Sequence, residues 1–236
     1  MPKAPQSQED REIVREKILD EALSLISEHG FKSFSMRKLA SRLGLTATSI
    51  YRYYSNKDEL YLMILTEGFE MLNKRFEEIY STKEEGTLKL RKMLEAYIDF
   101  GINKSHYYNI MFTSDAPKYR DYVGTDIEPV AFMEKQTALK LIEITTRALQ
   151  DAVDGSFSMT REEIRFYVIK IWSTLHGILT LYNSRVLPEV EENPQQIIRH
   201  IADDLIAPVL MHRGNELSRT SSPDMTETAE QAQSQG

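Results

Sequence analysis

Basic side chains are concentrated in one short N-terminal segment of the chain, from Phe31 to Lys57. The segment holds six basic residues and no acidic one: Lys32, Arg37, Lys38, Arg42, Arg52 and Lys57. Because the whole chain has a net charge of −7, these six charges leave −13 for the remaining residues. The sequence therefore predicts a local cationic surface that can bind phosphate groups while the acidic bulk of the protein stays clear of them.

A cluster of small polar residues follows Gly44 inside this segment. The cluster consists of Thr46, Ala47, Thr48 and Ser49. Small side chains let a backbone approach base edges closely, hydroxyls donate or accept hydrogen bonds, and methyl groups contact thymine. The phenol hydroxyls of Tyr51 and Tyr53 could reach phosphate, and Lys57 would stand at the start of the next helix, where anions bind favourably. These residue types favour contact with a nucleic acid.

Helices must position these side chains, because apolar residues recur at helical spacing nearly everywhere and no convincing alternating strand pattern appears. We predict a first helix from about Arg11 to Glu28, ended by Gly30, and a second from about Met36 to Leu43, capped by Ser35. Gly44 then permits a sharp turn before a third helix of about seven residues, which is too short to be stable without packing.

Two further signals complete this N-terminal unit. Ala47, Ile50 and Tyr54 would face inward from the third helix. The fourth helix begins with Asp58 and Glu59, which favour the positive end of the helix dipole. It is long and continues to the polar stretch 81–86. Helices joined by a tight glycine turn, with the basic residues on the second, the third and the start of the fourth, are typical of a helix-turn-helix.

The segment Gly30–Leu60, GFKSFSMRKLASRLGLTATSIYRYYSNKDEL, resembles the DNA-binding signature of TetR-type transcriptional regulators. The glycine turn at Gly44, the pair Ile50-Tyr51 and Lys57 match the signature, but Tyr53-Tyr54 stands where many members have His-Phe. The hydroxyl of Tyr54 then needs a partner of its own. The resemblance implies that residues at these positions contact DNA: Arg37, Thr46, Ala47, Thr48, Ser49, Tyr51, Arg52, Tyr53 and Lys57. Taken singly, each tyrosine is more often a core residue and each arginine a solvated charge, so the hypothesis depends on the constellation.

The C-terminal part is predicted to be a larger helical bundle that binds an effector and dimerises. Its five helices are expected at about Thr87–Lys104, Tyr107–Thr113, Glu128–Val153, Arg161–Arg185 and Pro194–His212. The fold class is therefore all-α, with about nine helices. Pro208 is expected to end or kink the last helix. We divide the chain into a flexible arm (1–11), a DNA-binding domain (12–72, motif 35–54), an effector and dimerisation domain (73–213) and a disordered tail (214–236).

A dimer interface is predicted on the last two long helices, which carry apolar residues at spacings of three and four. The predicted interface consists of Ile164, Val168, Ile171, Leu175, Ile178, Tyr182, Ile197, Ile201 and Leu205. The resemblance implies an isologous homodimer built from these helices. Two recognition helices about 34–36 Å apart would read successive major grooves, so the expected partner is a palindromic operator in double-stranded DNA.

An effector pocket is predicted among aromatic residues of the bundle. The candidates are Tyr97, Phe100, Tyr107, Tyr108, Met111, Phe112, Trp172 and His176. The bland interpretation, plain core packing, is favoured for each of them over ligand contact. Trp172, His176 and Gly177 are similar to the C-terminal domain of a Trp/His/Gly-containing TetR subgroup. The predicted function is that of a repressor released from DNA by a small-molecule effector of unknown identity.

Other classes of protein are disfavoured by the composition. The chain has no cysteine, no apolar run long enough to cross a membrane and no secretion signal, so we expect a cytoplasmic protein without membrane partners. The five histidines are scattered, and no zinc, phosphate-loop or nucleophile motif occurs, so neither catalysis nor a metal or cofactor is expected. The alternative that stays open is a helical protein-interaction module, whose affinity for duplex DNA would lack a steep dependence on salt.

The two kinds of DNA contact predict different mutational effects. Lys57→Ala should weaken binding to all duplexes alike, because a phosphate contact carries no sequence information. Thr48→Ala should instead change the order of preference among operator variants, measured by competition binding. If both variants lost affinity uniformly, the assignment of Thr48 to base recognition would be wrong.

Overall fold

The computed structural model describes residues 8–112, 115–153 and 159–220. Predictions for the arm residues 1–7 and the tail residues 221–236 lie outside the described residues. Within the described part the chain forms eleven α-helices and one short 3-10 helix, and no strand. The predicted all-α class is confirmed. The two helices beyond the predicted nine are four-residue turns.

The N-terminal head consists of the first helices of the chain. They are α1 (Gln8–His29), a 3-10 helix (Phe31–Ser33), α2 (Met36–Leu43), α3 (Ala47–Tyr51) and α4 (Lys57–Tyr80). Helix α1 begins three residues before the predicted start, so residues 8–11 of the predicted flexible arm are helical. Glu9 and Asp10 lie in its first turn, where negative charge stabilises a helix.

The core of the head holds α3 in place. Ile18 and Ala22 of α1 are fully buried together with Leu39 of α2, Ile50 of α3 and Leu60 of α4. Tyr54 is buried as predicted, while Ala47 is only half-buried. The Tyr54 hydroxyl lies 3.5 Å from the backbone oxygen of Arg15, which supplies the partner that this departure from the family pattern requires.

The C-terminal body is built from the remaining helices. They are α5 (Gly86–Asn103), α6 (Ser105–Phe112), α7 (Tyr119–Tyr122), α8 (Glu128–Val153), α9 (Arg161–Asn183), α10 (Leu187–Val190) and α11 (Pro194–Thr220). Helix α4 packs along α8 and α5, and α9 packs against α5, α8 and α11. The single-turn helices α7 and α10 lay in segments predicted as connections, because four residues are too few to show a helical period.

Two predicted boundaries differ in the structure. Helix α11 continues past Pro208 to Thr220, so Pro208 does not end the helix, the first of the two predicted effects, and the predicted kink stays a prediction. Residues 214–220 of the predicted tail are helical. A proline removes one backbone donor, and the residues on either side can still keep helical geometry. Helix α4 runs without interruption through the predicted domain boundary at residues 72–73, so one helix joins head and body.

The apolar stripe that predicted the dimer interface faces the inside of the protomer. Five of the nine predicted interface residues are buried there: Ile164, Val168, Ile171, Leu175 and Leu205. This corrects the prediction for these five, because a stripe at helical spacing shows that one face is covered but not by which molecule. Ile178, Tyr182, Ile197 and Ile201 are half-buried.

None of the described helices is both long and apolar enough to pass through a lipid bilayer.

Candidate nucleic-acid interface and effector cavity

The turn between α2 and α3 is built from capping residues. The Ser35 hydroxyl accepts a hydrogen bond from the Lys38 amide and starts α2. Gly44 adopts the left-handed conformation at φ 64°, which costs glycine little. Thr46 starts α3: its hydroxyl oxygen accepts from the Ser49 amide at 3.1 Å and lies 2.8 Å from the Ser49 hydroxyl. These caps set the angle at which α3 leaves the turn.

All nine residues predicted to contact DNA lie at the surface of the head. Five are exposed, namely Arg37, Thr46, Thr48, Tyr51 and Arg52, and four are half-buried, namely Ala47, Ser49, Tyr53 and Lys57. The hydroxyls of Thr46 and Ser49 are occupied with each other at the start of α3. Among these small residues, Thr48 is the one that presents an exposed hydroxyl away from this cap, and Tyr51 is 51% exposed on the same short helix.

The six basic residues of the cationic segment divide into two groups. Three are held by the protein itself. Arg42 binds Glu21 at 2.7 Å and Glu28 at 3.2 Å, Lys32 pairs with Asp115, and the Lys38 ammonium donates to the Ser33 carbonyl. The hydrogen bond from Arg42 is the main cause that lowers the pKa of the Glu28 carboxyl. Arg42 therefore fastens α2 to α1, a role that charge counting does not reveal.

The other three cations, Arg37, Arg52 and Lys57, form no ion pair with any described carboxylate. Lys57 lies with its ammonium 4.5 Å from the centre of the Phe31 ring, which attracts the cation but carries no net charge to neutralise it. An uncompensated cation at a protein surface is available to a phosphate group. Lys38 also lacks a described carboxylate partner, but its ammonium is held by the Ser33 carbonyl. Arg37, Arg52 and Lys57 are therefore the three cations of the segment with neither an ion pair nor a hydrogen bond of this kind among the described residues.

The start of α4 is closed by its own cap. The Asn56 side-chain oxygen accepts from the amides of Asp58 and Glu59, each at 2.9 Å, and the Glu59 carboxylate accepts from the Ser55 amide at 2.6 Å. Two of the amides that make a helix start an anion site are therefore already bonded. Any phosphate contact at this point depends mainly on the Lys57 side chain.

A narrow apolar cavity lies inside the body between α4, α5, α8 and α9. Its wall consists of Phe76, Met93, Leu94, Tyr97, Leu141, Ile142, Thr145, Val168, Ile171, Trp172 and Leu175. Only about 30 Å³ between these side chains is wide enough for a water-sized sphere, which is far below the volume of small-molecule sites. The side chains of the wall would have to move apart to admit an effector. The structure places two of the eight predicted pocket residues, Tyr97 and Trp172, in this wall.

The other six predicted pocket residues lie outside the wall. Tyr108, Phe112 and His176 form a layer behind it, in which the Tyr108 hydroxyl lies 2.8 Å from Nδ1 of His176. Phe100 is buried in α5. Tyr107 and Met111 contact α4 instead.

These contacts fit α6 closely to α4. Tyr107 hydrogen-bonds to Glu67. A Cβ atom on Gly68 would lie 2.4 Å from the Met111 sulfur, so a larger residue here would require the Met111 side chain to shift.

Several wall residues were missed or misassigned by the sequence analysis. Val168, Ile171 and Leu175 had been assigned to the dimer interface, and Leu141, Ile142 and Thr145 of α8 had not been singled out. No sequence signal separates them, because a cavity wall and a solid core use the same apolar residues at the same helical spacing. These residues line a cavity only because the four helices around them leave a gap in their packing.

The cavity and the layer behind it carry no charge near neutral pH. Burial raises the pKa of Tyr97 to about 12 and also raises the pKa of Tyr108, so both phenols stay protonated. Burial lowers the pKa of His176, which keeps the imidazole neutral. No group of three histidine or carboxylate side chains able to hold a metal ion occurs among the described residues.

Helix α6 and the segment after it connect this region to the head. The Ser27 hydroxyl of α1 lies 2.6 Å from Nδ1 of His106 at the start of α6. The Tyr122 hydroxyl of α7 donates to Asp58 in the first turn of α4 at 3.1 Å. Together with the ion pair between Lys32 and Asp115, these contacts tie both ends of the head to the body.

Comparison with known families matches both parts of the chain. A model described as bacterial regulatory proteins of the tetR family matches residues 18–64, which span α1 to the first part of α4. A model described as a tetracyclin repressor-like C-terminal domain matches residues 90–205. The first match lies within the head and the second within the body.

A curated relative and two solved structures are similar to the chain. The transcriptional activator FasR of Mycolicibacterium smegmatis is 27% identical over 139 residues, which are 59% of this chain and 56% of that protein. The chain thus matches little more than half the length of this relative.

The two structures share the fold. The ketosteroid transcriptional regulator KstR2 of Mycobacterium tuberculosis has a TM-score of 0.64 at 13% identity, over 83% of this chain and 94% of that chain. The fatty acid degradation regulator FadR of Bacillus halodurans has a TM-score of 0.63 at 14% identity, over 87% and 96%.

The cap of α4 gives a test of the scaffold beneath the interface. Asn56→Ala should lower the free energy of unfolding by about 1 kcal/mol, because two amides lose their acceptor. Asn56→Ser should change it little, since serine caps helices as well as asparagine. Urea unfolding of the three proteins checks both; equal midpoints for the alanine and serine variants would show that the cap contributes nothing.

Proposed function

The chain belongs to the TetR family of bacterial regulatory proteins, and we propose that it is a homodimeric repressor that leaves a palindromic operator when an effector binds its body. Members of this family are dimeric, DNA-binding transcriptional regulators. The proposal is carried by one observation. Arg37, Arg52 and Lys57 stand without a described carboxylate partner around the short helix α3.

The surface of α3 supports recognition of a DNA groove. Its start is fixed by the Thr46 cap, its exposed face presents Thr48 and Tyr51, and its inner face is anchored by Ile50. In a groove-reading helix, small residues at the start contact base edges while flanking cations contact phosphates and fix the register. We assign base contact to Thr48 and Ala47, and phosphate contact to Arg37 and Lys57.

Activation is the second candidate for the direction of control. The relative FasR is named a transcriptional activator, and its similarity to this chain covers 59% of the chain. Both directions use the same DNA interface, and they differ in where the operator lies relative to the promoter. We retain repression as the first candidate. Transcription in vitro from a promoter that carries the operator, with and without the protein, decides between them.

A second copy of the chain is proposed to cover the exposed face of α9. The apolar residues Phe166, Ile169 and Leu181 are exposed on the face opposite the buried stripe. Gly177 lies between them, and a Cβ atom there would meet nothing within 4 Å, so a partner helix could approach closely. On α11 the half-buried Ile197 and Ile201 extend this surface. An isologous pair of α9 and α11 helices would bury all of them.

The proposed switch is a shift between two spacings of the heads in the dimer. An effector in the cavity would displace α5, α8 or α9, and α6 transmits the displacement because it contacts both Tyr97 and the head. An effector can shift the equilibrium between the two head spacings only by the difference in its affinity for the two states. A hundredfold change in the affinity for the operator needs a difference of about 2.7 kcal/mol. We expect a cytoplasmic protein, as contact with DNA requires, without catalytic activity.

The division of the cations predicts how DNA affinity depends on salt. The logarithm of the DNA-binding constant falls as the logarithm of the salt concentration rises. Each lost phosphate contact should make this slope less steep by about 0.9, and therefore by about 1.8 in a dimer, in which the contact occurs twice. Arg37→Ala should produce this change. Arg42→Gln should leave the slope as it is, because Arg42 is bound to Glu21 and Glu28.

Fluorescence anisotropy with a selected operator at several salt concentrations measures these slopes. A wild-type protein without any salt-dependent affinity for duplex DNA would favour the protein-interaction alternative. Equal slopes for the wild type and Arg37→Ala would show that Arg37 does not contact phosphate.

The exposed face of α9 predicts the residues on which the dimer depends. Phe166→Glu places two like charges in the proposed interface and should raise the dissociation constant of the dimer by at least about 100-fold. Val123→Glu replaces an apolar residue that is exposed outside this face and should leave the dimer intact. Sedimentation equilibrium measures both, and a Phe166→Glu protein as dimeric as the wild type would show that another surface pairs.

A further inference from the structure

We propose that Asn73 fixes the register of helix α4 on helix α8 and thereby sets the position of the head on the body. Asn73 is then a positioning residue for DNA binding, without touching DNA itself. Its effect on DNA rests on the proposed function, whereas the register can be measured without DNA. The proposal is carried by the burial of Asn73, by its acceptor on α8 and by the hydrogen bonds on either side of that acceptor.

Helices α4 and α8 lie side by side and run in the same direction. Asn73 of α4 bonds to Thr137 of α8, and one turn further along both helices the Glu77 carboxylate lies 2.6 Å from the Lys140 ammonium. Helix α4 begins in the head and packs along the body. If α4 slipped along α8 by one turn, the head would therefore move by about 5.4 Å.

Asn73 is a polar side chain in a helix face that is otherwise mostly apolar. It is 4% exposed, and its Nδ2 atom donates to the Thr137 carbonyl at 2.8 Å. A carbonyl oxygen can only accept, so the side-chain atom that faces it must be the amide nitrogen. Oδ1 of Asn73 is buried and has no hydrogen-bond partner among the described residues. Such an amide lowers stability compared with an apolar residue, and its best-known use between helices is to fix the register.

The carbonyls one turn to either side of Thr137 are already used. The Thr137 hydroxyl donates to the Met133 carbonyl at 3.0 Å, and the Thr145 hydroxyl donates to the Leu141 carbonyl at 2.8 Å. Within a helix each carbonyl also accepts a backbone amide, so a second donor occupies its remaining lone pair. The carbonyl of Thr137 has no such donor from its own helix, because the residue four positions later is Leu141.

A slip of α4 by one turn in either direction would bring Asn73 to one of these occupied carbonyls. The amide nitrogen would then be buried without an acceptor, in addition to the unpaired Oδ1. Of the three registers, only the one in the structure gives Nδ2 a free lone pair. Apolar residues discriminate less sharply, since they recur at nearly every turn of both helices.

The neighbouring ion pair does not provide the same selectivity. Glu77 and Lys140 are each about half-exposed, and long charged side chains at a surface can follow a shift of the backbone. We therefore assign the register to the buried amide.

Cross-linking measures the register, because the chain has no cysteine. Glu77→Cys is combined with Lys140→Cys as the in-register pair, with Gln136→Cys as the backward pair and with Glu143→Cys as the forward pair. All three pairs lack the ion pair of Glu77 with Lys140, so their register depends on Asn73. With a short bis-methanethiosulfonate reagent, the in-register pair should react at least about tenfold faster than the others, because a short linker cannot span a shifted pair.

Asn73→Leu and Asn73→Ala are introduced into each pair. Leucine has nearly the shape of asparagine without its donor, and alanine serves where leucine does not fit. Both should lower the ratio of in-register to shifted cross-links at least about threefold. Thr66→Val is the matched control and should leave the ratio unchanged, since the buried Thr66 bonds to the Leu62 carbonyl of its own helix. Circular dichroism melting verifies that each variant is folded.

Two threonine variants test the occupied carbonyls, each in one direction. Thr137→Val frees the Met133 carbonyl and should raise the cross-linking rate of the backward pair alone. Thr145→Val frees the Leu141 carbonyl and should raise the rate of the forward pair alone. A general loss of stability would raise both rates together.

Operator binding tests the consequence for the head. With Glu77 and Lys140 in place, Asn73→Leu should bind the operator at least about tenfold more weakly, because the spacing of the two heads is no longer fixed. The dependence of its affinity on salt should stay that of the wild type, since the phosphate contacts are retained. Thr66→Val should bind as the wild type does.

Unchanged cross-link ratios in both Asn73 variants, or an equal gain of the two shifted pairs in Thr137→Val, would overturn the assigned register. An Asn73→Leu protein with shifted cross-links and the operator affinity of the wild type would overturn the link between register and head position. If the wild type binds no duplex DNA, the proposed function fails, while the cross-links still decide the role of Asn73.

Discussion

Helix α3, which we propose faces DNA, has five residues, and a helix of this length is not stable in water without support. Its support comes from two side chains on its inner side. Ile50 is completely buried among the head helices, and Tyr54, just beyond the helix, is buried against α1, with its hydroxyl at the Arg15 carbonyl. The exposed residues Thr48 and Tyr51 can hold a fixed position only because these two are buried. Every contact proposed with DNA depends on that anchoring.

The same head must be cationic on one side and attached to an acidic body on the other. In the structure, the basic residues of the head have two different roles. Arg42 and Lys32 are bound to carboxylates and fasten α2 to α1 and the head to the body, while Arg37, Arg52 and Lys57 remain without such partners. The number of basic residues in the sequence therefore includes both residues that hold the head together and residues that can attract phosphate. Only the positions of their side chains in the structure tell the two groups apart.

The elements that could be predicted from sequence are those with local causes. Ser35, Gly44 and Thr46 are capping or turn residues whose chemistry acts on their own neighbours, and the structure has α2 and α3 where these residues place them. The apolar stripe of α9 was interpreted incorrectly because its cause is not local. Val168 and Leu175 are apolar in either case, and only the packing of four helices decides that they line a cavity instead of meeting a second subunit. The four-residue helices α7 and α10 were missed because one turn has no period to detect.

The two faces of α9 link the parts of the molecule that a regulator must couple. One face closes the cavity through Val168, Ile171 and Trp172, and the opposite face carries Phe166, Ile169 and Leu181 at the surface proposed for a second copy. A helix is stiff across its diameter, so a ligand that moves one face moves the other with it. Ile169 and Trp172 lie within one turn of each other, at the boundary between both faces. An effector at the mouth of the cavity would therefore act at the edge of the dimer surface, without any relay through further residues.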